Sequence, residues 1–291
     1  MRPGRGHHGD VTGRRAIFLD FDGTYADRGL VPEAHVGTVR AARAAGHAVF
    51  LCTGRPRAML SAEVLRAGFD GLVAAAGGYV EVAEQVVLDR RFPAELARRA
   101  LAVLDEHDVA YLLEAPEAVY GPPGVAERLR ALLVDHFSDP AEGEGTSSGR
   151  DGTADILAQL RPSSELGEAS FGKVTIFDSP VSVTTLAAAI GDGVGVIPSS
   201  IQGMGDSAGE LYLRGVHKAV GMEVAVAHLG LGRAATVAFG DSLNDVEMLE
   251  YAAVGVAIDG GHPDVLAVAD HVAQGPEREG LVAAFAELGL L

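Results

Sequence analysis

The sequence predicts an α/β fold, a parallel sheet with helices on both faces, interrupted by a separate α+β insert. Three observations predict it. The apolar run Ala16-Ile17-Phe18-Leu19 stops abruptly at Asp20-Phe21-Asp22-Gly23, as a buried parallel strand stops at a turn. A helical pattern and a second apolar run ending at Cys52 follow directly, giving a strand-helix-strand unit with parallel strands and a right-handed crossover. That alternation fades near residue 81 and returns near residue 213.

The elements follow in order. Residues 1–15 are basic, glycine-rich and short of large apolar groups, so they have little to bury and are expected to form a disordered arm; His7-His8 is too sparse a pair to read as a metal site. After the first strand, Val36, Val39 and Ala42 fall at helical spacing and Gly46 supplies a stop. The second strand, 47–52, ends in Thr53-Gly54-Arg55-Pro56, and Thr53 is placed to cap a helix over 56–67. A third strand over 72–76 closes at Gly77-Gly78.

Over 82–212 short strands (85–88, 109–113, 173–177, 194–197, 210–213) alternate with helices (93–106, 125–137, 181–190), and 138–151 is expected to be a mobile loop. The parallel pattern then resumes: a helix over 216–228 with Lys218 in its first turn, and a strand over 235–239 stopped by Gly240-Asp241-Ser242-Leu243-Asn244-Asp245. A helix (246–252), a strand (254–258), a helix (263–269), a strand (271–273) and a last helix (280–288) complete it. The expected domains are therefore a Rossmann-like core of 16–81 and 213–291 and an insert of 82–212.

Charge narrows the partners. The 291 residues carry a net charge of −17, which repels nucleic acid and anionic membrane alike. The insert holds 9 Lys/Arg against 21 Asp/Glu and so most of the excess. No uninterrupted apolar run reaches membrane-spanning length and the N-terminus lacks the apolar stretch of a signal peptide, so the expected location is the cytoplasm. The single cysteine, Cys52, lies in an apolar run and reads as a small core residue.

Ligands of open α/β sheets bind at the carboxyl ends of the strands. The expected strand ends and helix starts bring Asp20, Asp22, Thr53, Lys218, Asp241, Asn244 and Asp245 to that edge. Carboxylates at such density need a cation, and hard oxygen donors suit Mg²⁺ completed by a phosphate oxygen; a lysine and a hydroxyl suit the remaining phosphate oxygens. The bland alternatives are a turn at Asp20–Gly23, helix capping by Asp241 and Asp245, and a solvated Lys218.

Asp20-Phe21-Asp22-Gly23-Thr24, Thr53-Gly54-Arg55, Lys218 and Gly240-Asp241-Ser242-Leu243-Asn244-Asp245, in this order and with a long insert between the second and third, resemble the four motifs of the haloacid dehalogenase-like superfamily. The position of the insert resembles the cap of its subclass IIB phosphatases. The resemblance implies that Asp20 is the nucleophile and Asp22 the general acid and base. It implies that Asp20, the backbone carbonyl of Asp22, and Asp241 hold Mg²⁺ with Asp245 behind them, and that Thr53, Gly54, Lys218 and Asn244 hold the phosphoryl group. Dehalogenases of this superfamily lack the second aspartate, so Asp22 favours a phosphate ester. Tyr25, Ala76 and the segment Asp259-Gly260-Gly261-His262-Pro263 depart from the family's usual residues. The implied function is a Mg²⁺-dependent phosphomonoester hydrolase working through an aspartyl-phosphate on a small sugar phosphate or similar metabolite, as monomer or homodimer. A phosphomutase on the same fold, or a phosphate- or metal-binding regulator without turnover, are the alternatives.

Overall fold

The computed structural model describes residues 13–137, 156–198 and 205–291. The chain begins with β1 (Ala16–Leu19), α1 (Glu33–Ala44), β2 (Ala48–Cys52), β3 (Gly71–Ala74), β4 (Tyr79–Val82) and β5 (Gln85–Asp89). The insert supplies α2 (Ala94–Glu106), β6 (Ala110–Glu114), β7 (Val119–Gly121), α3 (Val125–Phe137), β8 (Leu160–Pro162), β9 (Lys173–Asp178), α4 (Val183–Ile190), β10 (Val194–Pro198) and β11 (Gly209–Leu213). The chain returns through α5 (Lys218–His228), β12 (Thr236–Gly240), α6 (Val246–Tyr251), β13 (Val254–Ile258), α7 (Pro263–Val268), β14 (His271–Ala273) and α8 (Gly280–Glu287).

Eight strands form the larger sheet in the order β14-β13-β12-β1-β2-β3-β4-β5. From β14 to β3 all pairs are parallel, and β4 and β5 are added antiparallel. Both faces are covered, which is why the central strands read as continuous apolar runs. Ile17, Leu19, Val49 and Leu51 pack under α1 and α8, through Val36, Val39 and Phe285. Phe18 and Phe50 stack at 5.0 Å on the opposite face, against Met222 of α5 and Met248 of α6.

The smaller sheet, β10-β11-β9-β6-β7-β8, is antiparallel except for β7 beside β8. One of its faces, with Tyr111, Leu113, Val174 and Leu211, buries itself under α2 and α4. The other carries Leu112 and Phe177, which pack with Met59 of the core and with Val125 and Leu129 of α3.

Three expectations need correction. Strand β5, read as the start of the insert, is the edge strand of the larger sheet. Its hairpin with β4 turns at Ala83 and Glu84, both at positive φ (47° and 66°), a conformation usually announced by Asn-Gly and concealed here. The helix expected over 56–67 is only a short 3₁₀ turn, Arg57–Met59, followed by further turns. Its apolar residues serve two cores: Met59 goes to the insert, whereas Leu60, Val64 and Ala67 go to the sheet, and one straight helix cannot face both ways. Strands β7 and β8 were not expected, being three residues each and without clear alternation. The loop expected over 138–151 and residues 1–12 of the arm expected over 1–15 lie outside the described residues; within that arm Arg15 is tied to Ala234 O and His47 Nδ1.

Candidate active site

Four segments converge at the carboxyl edge of the larger sheet. Strand β1 ends at Leu19, so Asp20 is the first residue of the turn, 5% exposed, with its N–H bonded to Phe239 O of β12. The turn closes through Tyr25 N–H to Asp20 O and Phe21 O, and Gly23 N–H to Ala26 O. Gly23 sits at φ 88°, and a Cβ there would come within 2.5 Å of Asp241 Oδ2, so only glycine lets this turn meet β12. Thr24 Oγ1 donates to Asp241 Oδ1 at 2.9 Å from the same turn.

Lys218 begins α5, fully buried. Its Nζ donates to Asp20 Oδ1 (2.5 Å) and Asp245 Oδ1 (2.6 Å). The lysine reaches this depth because Gly77, at φ 101°, lets the start of α5 settle on the end of β3; a Cβ at Gly77 would lie 2.1 Å from His217 O. Asp245 is also fully buried and uses its other oxygen for Asp241 N–H, Ser242 N–H and Ser242 Oγ, so it locks the loop after β12. Asp20, Asp241 and Asp245 each offer a carboxylate oxygen, all within 4.8 Å of one another.

Three carboxylates thus face one ammonium. Burial, then the charge of Asp245, push Asp20 well above the usual carboxylate range against the pull of Lys218. The same two causes raise Asp241 to about 6 despite its hydrogen bond from Thr24. For Lys218 burial works the other way, yet Asp20 and Asp245 outweigh it and hold the amine protonated, its pKa raised. Such a surplus of hard oxygen donors fits a divalent cation of the Mg²⁺ type, with Asp20 and Asp241 as the ligands available to it.

Thr53 ends the path of β2 and is 1% exposed; its Oγ1 accepts from Arg55 N–H (3.1 Å), leaving the hydroxyl proton to donate. Gly54 lies beside Asn244: a Cβ at Gly54 would stand 3.5 Å from Asn244 Nδ2, and Asn244 Oδ1 accepts from Ser242 Oγ at 2.7 Å. Asp20, Lys218, Asp241 and Asp245 thus form one cluster, and Thr53, Gly54 and Asn244 lie on adjoining turns. The Asp22 carboxylate is half exposed and turned to Arg55, which grips it with Nε (2.9 Å) and an amino nitrogen (2.8 Å). Arg55 also lies over the Phe21 ring at 4.7 Å. The sequence marked Arg55 only as a basic residue in a Thr-Gly-Arg turn; its grip on Asp22 needs the sheet to bring residues 22 and 55 together.

The expectation about one bystander holds. Cys52 is fully buried and its thiol is pushed up by burial, a poor nucleophile. Tyr25 is likewise buried, its ring against His35 and Phe69 in the core, so its departure from the usual family residue shapes the packing under the turn.

Fold and site together define an α/β protein equipped for phosphoryl chemistry: an acidic rim, a buried amine, and an inserted domain whose sheet packs on the loop beside them. The family model for haloacid dehalogenase-like hydrolases matches residues 17–285, and the chain belongs to that family. It is 27% identical over 282 residues to YkrA of Bacillus subtilis, a protein that carries the name of a phosphatase, covering 95% of this chain and 98% of that one. Among solved structures it shares the fold of the subclass IIB sugar phosphatase BT4131, with a TM-score of 0.73, 22% identity and coverage of 95% and 100%. The phosphatase BT1666 from Bacteroides thetaiotaomicron is similar as well, at a TM-score of 0.74 and 20% identity over 99% of both chains. Among the described residues no helix is long and apolar enough to cross a membrane.

Proposed function

We propose that the chain is a Mg²⁺-dependent phosphomonoester hydrolase that works through an aspartyl-phosphate on Asp20. The observation that carries the reading is the Asp20-Lys218-Asp245 ion cluster with Asp241 beside it. Asp20 attacks phosphorus, the ester P–O bond breaks, and the leaving oxygen takes a proton from Asp22. Asp22, now a carboxylate, takes a proton from water as that water attacks phosphorus; the bond to Asp20 breaks and inorganic phosphate leaves. Asp22 must leave Arg55 and arrive protonated to serve the ester oxygen. Lys218, Thr53 and Asn244 hold the phosphoryl oxygens, and Asp245 keeps Lys218 and the loop after β12 in place. Mg²⁺, held by Asp20, Asp241 and the Asp22 carbonyl, would neutralise charge on the phosphoryl group.

A small sugar phosphate is the favoured substrate class. The acidic insert disfavours polyanions, and carboxylates accept hydrogen bonds from hydroxyl groups. The test is phosphate release from p-nitrophenyl phosphate and a panel of sugar, nucleotide and cofactor monophosphates, with Mg²⁺ and with a chelator. Mg²⁺-dependent release that Asp20→Asn abolishes, with the fold retained, is the expected result. No release from any of them, or undiminished release by the variant, overturns the reading.

A further inference from the structure

Lys173 opens β9 in the insert and is 4% exposed. Its Nζ has three neighbours: Glu210 Oε1 at 2.8 Å, Glu114 Oε2 at 3.1 Å, and Gly54 O at 3.0 Å. The ammonium donates hydrogen bonds to Glu210 and Gly54 and is ion-paired with Glu114. The glutamates lie on the flanking strands β11 and β6, with Glu114 directly opposite Lys173 in register and held in turn by Thr175 Oγ1. The third oxygen belongs to the core, in the turn between Thr53 and Arg55.

Stability of the insert does not account for this lysine. A buried ion pair is matched or bettered by well-packed apolar side chains of similar volume. The same sheet face is apolar nearby, where Leu112 and Phe177 meet Met59. What an apolar residue cannot supply is the donor to Gly54. The three carbonyls of the turn each accept from a different place: Thr53 O from Ala76 N–H (3.0 Å), Arg55 O from Ala75 N–H (2.9 Å), and Gly54 O from Lys173. The outer two are held within the core. Among the described residues only the middle one depends on the insert, and it sits between the Thr53 hydroxyl and the arginine that grips Asp22.

We propose that Lys173 is a positioning residue, a latch that ties the closed insert to the turn carrying Thr53 and Arg55. The reading of that turn as part of a phosphatase site rests on the function proposed above. Closing the insert and fixing the middle of the turn are then one event, because one ammonium makes both contacts. Without the latch the closed form loses population, and apparent affinity falls in proportion to the competent fraction. Substrate at saturation restores closure, so KM changes more than kcat.

The test is Lys173→Met combined with Glu114→Gln, which removes the buried charges together and leaves the apolar face intact. Spin labels on Glu95→Cys in the insert and Asp264→Cys in the core, both exposed, report the separation of the two parts; Cys52 is buried and takes no label. The labelled parent should give one narrow distance, and the variant a second, longer one. KM for a sugar phosphate should rise about tenfold, the scale of one net hydrogen bond, with a much smaller fall in kcat. A folded variant with unchanged distances and KM overturns the latch. Loss of the fold overturns it too, since the lysine would then serve the insert's own stability. Absence of phosphatase activity in the unaltered chain refutes the function proposed above and leaves the distance measurement to judge the latch.

Discussion

Replacing Asp241 by Asn should make the metal-free protein more stable while removing its response to Mg²⁺. Burial and the charge of Asp245 raise Asp241 from 3.8 to about 6, so at neutral pH its ionised form is held against the preference of its surroundings. At 1.36 kcal/mol per pKa unit, this corresponds to roughly 3 kcal/mol of electrostatic cost in the folded state above pH 6. The sign follows from proton uptake. Between pH 4 and 6 the folded chain binds more protons at Asp241 than the unfolded chain, so this group adds stability as pH falls through that window. An uncharged amide keeps the Oδ1 acceptor for Thr24 and removes the repulsion. The metal-free variant should therefore melt about 5 °C above the metal-free parent at pH 7.5, taking 2–4 °C per kcal/mol for a chain of this size and allowing for partial solvent relaxation. Scanning calorimetry with chelator and then with millimolar Mg²⁺ checks both halves. The parent should gain stability with Mg²⁺ and the variant should not. A variant less stable than the parent in chelator, or one with the parent's full Mg²⁺ response, refutes the placing of Asp241 in an overcharged cation site.

Lys218→Met should lower turnover by at least about a thousandfold and destabilise the fold by about 3–5 kcal/mol, because it strands Asp20 and Asp245 as buried carboxylates without a cation; urea titration and phosphate release measure the two effects. Arg55→Met frees Asp22 from its two-pronged partner, and kcat should change while KM for p-nitrophenyl phosphate stays within about threefold; a kcat identical to the parent's refutes a role for this pair in the acid-base step. Gly77→Ala should cost several kcal/mol and lower Tm by about 5 °C or more, since its φ of 101° and the 2.1 Å approach to His217 O leave a methyl group no room; an unchanged melting curve contradicts the seating of α5.

The candidate rim was legible in the sequence because its residues stand at strand ends, where a buried apolar run gives way at once to a polar turn. That contrast located β1, β2, β12 and β13 within a residue or so and put Asp20, Thr53 and Asp241 on one edge. Lys218 was placed by helix periodicity, but its depth was not, since burial depends on two glycines, Gly77 and Gly221, that let α5 approach β3. Three such features escaped, two of them set by contacts distant in the chain. The β4-β5 hairpin hides in a turn of Ala83 and Glu84. Residues 56–67 are divided between two cores and so cannot hold the helix their pattern suggests. Arg55 and Asp22 are 33 residues apart, and only the sheet makes them partners.

Lys173 is the furthest such case. In the sequence it is one cation in an acidic insert; in the fold it is the donor that joins a strand of that insert to a carbonyl 119 residues earlier. Local pattern predicts which face a residue takes and says nothing of what stands opposite that face. The residues governing how insert and core act together are therefore the ones that periodicity cannot mark, and they stand out only as charged groups in places where packing alone would have chosen an apolar side chain.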